Sequence, residues 1–132
     1  MGGIEAGEIR AALGEMIDAQ NAGDAERLRP LLSERPDAVH IGTDAGEWWT
    51  SKELFDAAAT DGGDDDIQVV TDDLHVHVQG DVAWVEGRGR FTNRSGGERP
   101  VRMTGVLIRE HGQWTMAQSH ASIAVPNAEL FS

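Results

Sequence analysis

The chain has 132 residues, with 23 acidic against 11 basic side chains, a formal net charge of −12 and no cysteine. That length supports a single domain over 1–132 with a sizeable core, and the missing cysteines exclude disulfides, thiolate nucleophiles and zinc–sulfur sites. The negative field argues against nucleic acid and anionic membrane surfaces as partners, and no run nears the roughly 20 apolar residues of a membrane span. With neither the basic start nor the apolar run of a secretory signal at the N-terminus, the expected compartment is the cytoplasm.

The first helix is written as a stripe: Ile9, Leu13, Met16, Ile17 and Gln20 fall on one helical face. Gly23 is a natural stop, and Asp24 can cap a second helix that carries Leu28, Leu31 and Leu32. Pro30 removes a hydrogen-bond donor there, which predicts a kink or an early end. A short strand follows over residues 38–43, with Val39, Ile41 and Thr43 on one face and His40 on the other. The turn through Gly42, Asp44, Gly46 and Glu47 leads into the adjacent Trp48 and Trp49. Thr50 and Glu53 then form a capping box opening a third helix with Leu54, Phe55 and Ala58.

Residues 61–66 read Asp-Gly-Gly-Asp-Asp-Asp, a self-repelling run expected to be a solvated loop. It lacks the distal glutamate and ordered alternation of a calcium-binding loop. From Ile67 the period changes to two, and turns at Gly80-Asp81, Ser95-Gly96-Gly97 and His111-Gly112 divide the rest into a four-strand meander. Asp72-Asp73 interrupts its first strand. Helices first and antiparallel strands second is the α+β pattern.

A two-residue turn at His111-Gly112 allows the last hairpin to be counted out. Leu107 then opposes Met116, Gly105 opposes Gln118, and Met103 opposes His120, so all six share one face with Trp114. The absent side chain of Gly105 would leave space on that face. The other face carries Val106, Ile108, Ala117, Ala121 and Ile123 among Arg102, Thr104, Thr115 and Ser119. For residues 82–92 the loop before the last hairpin is too long to fix register. Either Trp84, Glu86, Arg88 and Arg90 or Val85, Gly87, Gly89 and Phe91 line the inside.

The helical hairpin, the Gly42–Trp49 turn, the third helix and the meander, with Gly80-Asp81-Val82-Ala83-Trp84-Val85 and Trp114-Thr115-Met116-Ala117-Gln118-Ser119-His120-Ala121-Ser122, resemble the SnoaL-like branch of the nuclear transport factor 2-like superfamily. The resemblance spans about residues 9–126. It implies a cystatin-like cone: three N-terminal helices packed on a strongly curved antiparallel sheet, with a pocket between them, commonly as a homodimer. The superfamily includes ketosteroid isomerases, polyketide cyclases and dehydratases alongside non-catalytic binding and assembly modules, so fold does not settle function. A tyrosine-based isomerase oxyanion hole is excluded because the chain has no tyrosine.

Within that frame His120 is the candidate catalytic base, since imidazole titrates near neutrality. His40, Trp48, Trp49, Met103, Gly105, Gln118 and Ser122 are the expected pocket lining. Asp44 and Glu47 are expected to hydrogen-bond their own turn, with a catalytic carboxylate as the sharper reading. Glu86 enters the site only if its strand face points inward, where burial would raise its pKa. His75 and His77 have a spacing seen in metal sites, but with Leu74, Val76 and Val78 buried they face water. No metal and no cofactor are expected. The function that follows is binding of a small, mostly apolar molecule, with cofactor-free isomerisation, cyclisation or dehydration as its catalytic form. The alternative is a non-catalytic dimeric binding or assembly module. The uncovered convex sheet face is the expected homodimer surface.

Overall fold

The computed structural model describes residues 2–61 and 67–131. Helix α1 (Gly2–Ala22) buries Ile9, Leu13 and Met16, as the stripe requires, and adds Ala19. It stops at Gly23, whose φ of 66° is open to a residue without Cβ. There the Gly23 N–H reaches the Gln20 carbonyl at 3.1 Å and the Asp24 N–H that of Ala19 at 2.9 Å, closing the orphan carbonyls of the last turn. Asp24 accepts the Arg27 N–H at 3.3 Å to start α2 (Ala25–Leu28). Pro30 ends that helix early, as a single tighter turn over Arg29–Leu31.

Helix α3 (Ser51–Asp61) begins with the expected reciprocal cap. The Glu53 N–H donates to Thr50 Oγ1 at 3.1 Å, and the Thr50 N–H to Glu53 Oε1 at 3.0 Å. The acidic run 61–66 lies outside the described residues beyond the backbone of Asp61.

The sheet has six strands: β1 (Val39–Ile41), β2 (Trp48–Trp49), β3 (Gln68–Gln79), β4 (Val82–Thr92), β5 (Glu98–Glu110) and β6 (Gln113–Ser122), in the order β2-β1-β6-β5-β4-β3. The four long strands form the expected antiparallel meander. The sheet as a whole is mixed, because β1 joins β6 in parallel. His111 and Gly112 turn the last hairpin with φ of 52° and 80°, the two positive values of the turn that matches strand twist.

Facing along β4 is decided by close approach. A Cβ at residue 89 would fall 2.3 Å from the Val70 carbonyl oxygen, and one at residue 87 would fall 2.8 Å from that of Asp73. Those glycines sit beside the register shift between Thr71 and Asp73, where the interrupting aspartates make a bulge. Ala83, Val85, Gly87 and Gly89 therefore face the helices, and Trp84, Glu86 and Arg88 face out. The core sits between, where Leu28 and Leu32 join the α1 stripe against Ala83, Val85, Leu107, Trp114 and Met116.

The last hairpin departs from the count at one residue. Leu107 does oppose Met116, but the register then shifts, so that Val106 opposes Gln118 and Ala117 is the extra residue of a bulge. Gly105 opposes Ser119 rather than Gln118, and Met103 opposes Ala121 rather than His120. With a side-chain period of two, that single residue turns Gln118, His120 and Ser122 outward, beside Val106, Thr104 and Arg102, and brings Ser119 and Ala121 inside. Met116 packs into this arrangement. Its Sδ lies 3.0 Å from where a Cβ of residue 105 would sit, so the space expected at Gly105 is filled by the methionine before the bulge.

Candidate functional site

A cavity of about 250 Å3 lies between the helices and the inner face of the sheet. Its wall is mostly apolar: Leu13 and Met16 from α1, Leu54 from α3, and Val85, Met103 and Met116 from the sheet. Met103 is thus where the strand pattern put it. Polar groups border it from several elements: Gln20 on α1, Thr71 on β3, Thr104 on β5, His120 on β6 and, where β1, β2 and β6 meet, His40, Glu47 and Ser119.

His40 is 3% exposed. Its Nδ1 lies 2.8 Å from Ser119 Oγ and its Nε2 3.0 Å from Ser51 Oγ. A neutral imidazole has one donor and one acceptor nitrogen, so one serine accepts and the other donates. Burial pushes the His40 pKa down from 6.5 to about 4, because the charged form loses its hydration without gaining a carboxylate. The ring is therefore neutral at pH 7, a fixed polar contact in an apolar wall.

The turn between β1 and β2 places Glu47. The Gly42 N–H donates to the Glu47 carbonyl at 2.9 Å, and the Glu47 N–H to the Asp44 carbonyl at 2.9 Å. The Glu47 side chain folds back so that Oε1 accepts the Asp44 N–H at 3.0 Å. That carboxylate occupies the volume of a missing side chain, since a Cβ at residue 42 would lie 2.1 Å from Oε1. Asp44 and Glu47 thus organise their own turn as expected, while Glu47 also borders the cavity. Among the described residues no lysine or arginine pairs with it.

The two adjacent tryptophans part company. Trp49 opposes His40 and borders the cavity. Trp48 opposes Ile41 on the outer face and is 70% exposed, and, contrary to expectation, it does not border this cavity. His120 is exposed on the outer face beside Thr104; it touches the rim of the inner cavity and borders a separate outer groove of about 290 Å3 with Trp84, Glu86 and Gln118. Gln118 and Gly105 border that groove and not the inner cavity, and Ser122 borders neither. Glu86 faces out as well, 2.9 Å from His77 Nε2, whose ring stacks on Trp84. Glu86 is thus exposed and not part of a buried site.

Among the described residues the histidine–carboxylate contacts are His77–Glu86 at 2.9 Å and His75–Asp73 at 3.6 Å, both on the outer face. None involves His40 or His120. No group of three His, Asp or Glu among the described residues is placed to hold a metal ion. Counting residues missed Ser119, because the bulge hid it, and Ser51, whose signal was its place just inside the capping box.

The SnoaL-like domain family matches residues 9–126 of this chain. The chain belongs to that family. The SnoaL-like fold is shared with a nuclear transport factor 2-like superfamily protein from Salmonella enterica serovar Typhimurium, at 15% identity over 100% of this chain and 99% of that one, with a TM-score of 0.83. A provisionally assigned dehydratase of the same superfamily from Streptomyces avermitilis is 21% identical over 95% of this chain and 99% of that one, with a TM-score of 0.81. A Nostoc punctiforme protein of unknown function with a cystatin-like fold is 12% identical over 90% of each chain, with a TM-score of 0.74. No curated protein matches the sequence. At these identities the likeness is one of fold, and the SnoaL-like site has to be argued from its own side chains. No helix among the described residues is long and apolar enough to cross a membrane.

Proposed function

We propose that this SnoaL-like protein binds a small, mostly apolar molecule between its helices and sheet. The observation that carries the reading is an apolar cavity of about 250 Å3 with one buried, neutral histidine in its wall. A dry cavity of roughly 150 Å3 takes benzene, so this one suits a two-ring body. Ser119, whose hydroxyl keeps hydrogen-bonding capacity beyond its contact with His40, offers such a ligand one polar contact, which fixes orientation where the apolar wall cannot.

The catalytic form of this reading, cofactor-free isomerisation, cyclisation or dehydration, would rest on His40 rather than on exposed His120. An imidazole that protonates only near pH 4 and spends both nitrogens on serines is a weak base, which favours binding. The test is calorimetry with three two-ring compounds of one shape: 2-tetralol, 2-aminotetralin and tetralin-2-carboxylate. Saturable binding of at least one, lost in a folded Ala121→Leu variant that fills the cavity, supports the reading. Failure of all three to saturate overturns it.

We also propose that two copies pair through the outer sheet face. Among the described residues no helix covers it, and it presents Trp84 and Val82 at 44% and 42% exposure with Val106 and Ile108. A two-fold contact buries such a patch twice with one surface. Ala121 and Ser119, expected on this face, turn inward at the bulge and are replaced by Gln118 and His120. Light scattering should report about twice 14.2 kDa, falling to one chain's mass in Ile108→Lys. A monomer at micromolar wild-type protein sinks the idea.

A further inference from the structure

Resting on the binding reading above, we infer that the ligand class is a small apolar amine, its cation held by the Glu47 carboxylate against the Trp49 ring. The charge inventory of the cavity points this way. No lysine or arginine borders it, buried His40 is neutral at pH 7, and the other histidine on its border, His120, turns its side chain to the outer face. Glu47 is the acidic side chain on its wall, and no arginine or lysine among the described residues neutralises it.

The carboxylate is held for this use by the backbone. The turn clamps Oε1 with the Asp44 N–H, in space that only a glycine at position 42 leaves free. Among the described residues Oε2 has no hydrogen-bond partner. Trp49 follows two residues later and borders the same cavity. An aromatic ring and a carboxylate bordering one cavity suit an ammonium group, which can gain from both the ring quadrupole and the charge.

Energetics choose between ligand charges. A carboxylic acid would bring a second anion into an apolar wall, with no cation to receive it. A neutral alcohol would leave the Glu47 charge uncompensated. A protonated amine pairs it, and because Glu47 and Trp49 are only half-buried the ammonium keeps part of its hydration while the rings go deeper. The net charge of −12 adds a field that gathers cations around the protein.

The experiment compares the same three probes at pH 7 and low salt. Wild type should bind 2-aminotetralin about tenfold or more tighter than 2-tetralol, with tetralin-2-carboxylate weakest. Glu47→Gln keeps an oxygen to accept the Asp44 N–H, so the turn survives, and a matching thermal melt checks that it does. In that variant the amine should fall to within about threefold of the alcohol, whose own affinity stays near wild type. Glu34→Gln, an exposed site off the cavity, removes one charge from the global field and should leave the amine preference intact. If the alcohol binds as tightly as the amine in wild type, the amine assignment falls while the cavity reading stands. If Glu34→Gln erases the preference as fully as Glu47→Gln, the preference belongs to the field and the assignment falls. If no probe saturates, both fall together.

Discussion

Two histidines lie one register step apart where β1 and β6 run side by side. His40 stands opposite Ser119, and His120 stands opposite Ile41. The first is buried between two hydroxyls and held neutral; the second is exposed on the outer face. Their residue type is the same and their strands are neighbours, so neither propensity nor proximity separates them. The pleat does. A strand sends successive side chains to opposite faces, and one extra residue at Ala117 decides which of Ser119 and His120 turns to the inner face, toward His40. In a curved sheet of this kind the site is chosen by register before it is chosen by chemistry.

The strongest way to break the contrast is to delete Ala117. The hairpin count would then run on without a shift, bringing Gln118 and His120 inside and turning Ser119 away from His40. Two large polar groups would enter an apolar wall without partners, and the loss should be about 3 kcal/mol or more, or cooperative unfolding should disappear. Urea denaturation measures it. A deletion variant within about 1 kcal/mol of wild type would mean that the bulge does not set the facing.

Protonation tests the buried member alone. The His40 pKa is lowered from 6.5 to about 4 in the folded chain, so below pH 6.5 the unfolded chain takes up a proton that the folded one refuses. Its neutral-state stability is fully present above pH 6.5 and is lost as the pH falls toward 4. The change is about 1.4 kcal/mol per pH unit, up to roughly 3 kcal/mol in all. The difference in unfolding free energy between wild type and His40→Gln, followed from pH 7 to pH 4, should show this slope. A flat difference would mean that His40 is not held neutral.

Truncations complete the contrast. Ser119→Ala removes one of the two hydroxyls on the His40 ring and should cost about 1 kcal/mol. His120→Ala, one residue along the chain, should stay within about 0.5 kcal/mol of wild type because its side chain is exposed on the outer face. Thermal melts of the two variants should therefore differ, with Ser119→Ala the lower. The reverse order would contradict the facing described for β6.

Elements whose signals are local were legible from the chain alone. The α1 stripe, the glycine stop at residue 23, the Thr50–Glu53 cap and the His111-Gly112 turn rest on spacing and on single-residue conformations, and each stands where the residues put it. So do the alternation of His40 with Val39 and Ile41, and the pairing of Leu107 with Met116. The site was less legible. Of the residues expected inside, Gln118, His120 and Ser122 turn outward after the bulge and Trp48 is exposed, and no local signal pairs Ser51 and Ser119 with His40.

The division follows the range of the forces. Helix stripes, caps and tight turns are settled within a few residues, where sequence neighbours are also spatial neighbours. What the residues determined by themselves is the order of elements, the α+β class, the inner stripe of α1 and a glutamate built into its own turn. Only the tertiary structure decided the bulge at Ala117, because it is set by how β6 pairs with another strand, where Met116 fills the space over Gly105. It alone also joined Ser51, at the start of α3, to Ser119, on β6, around the ring of His40. Those residues lie far apart along the chain, and no local pattern records that the packing of helix on sheet will bring them within hydrogen-bond distance.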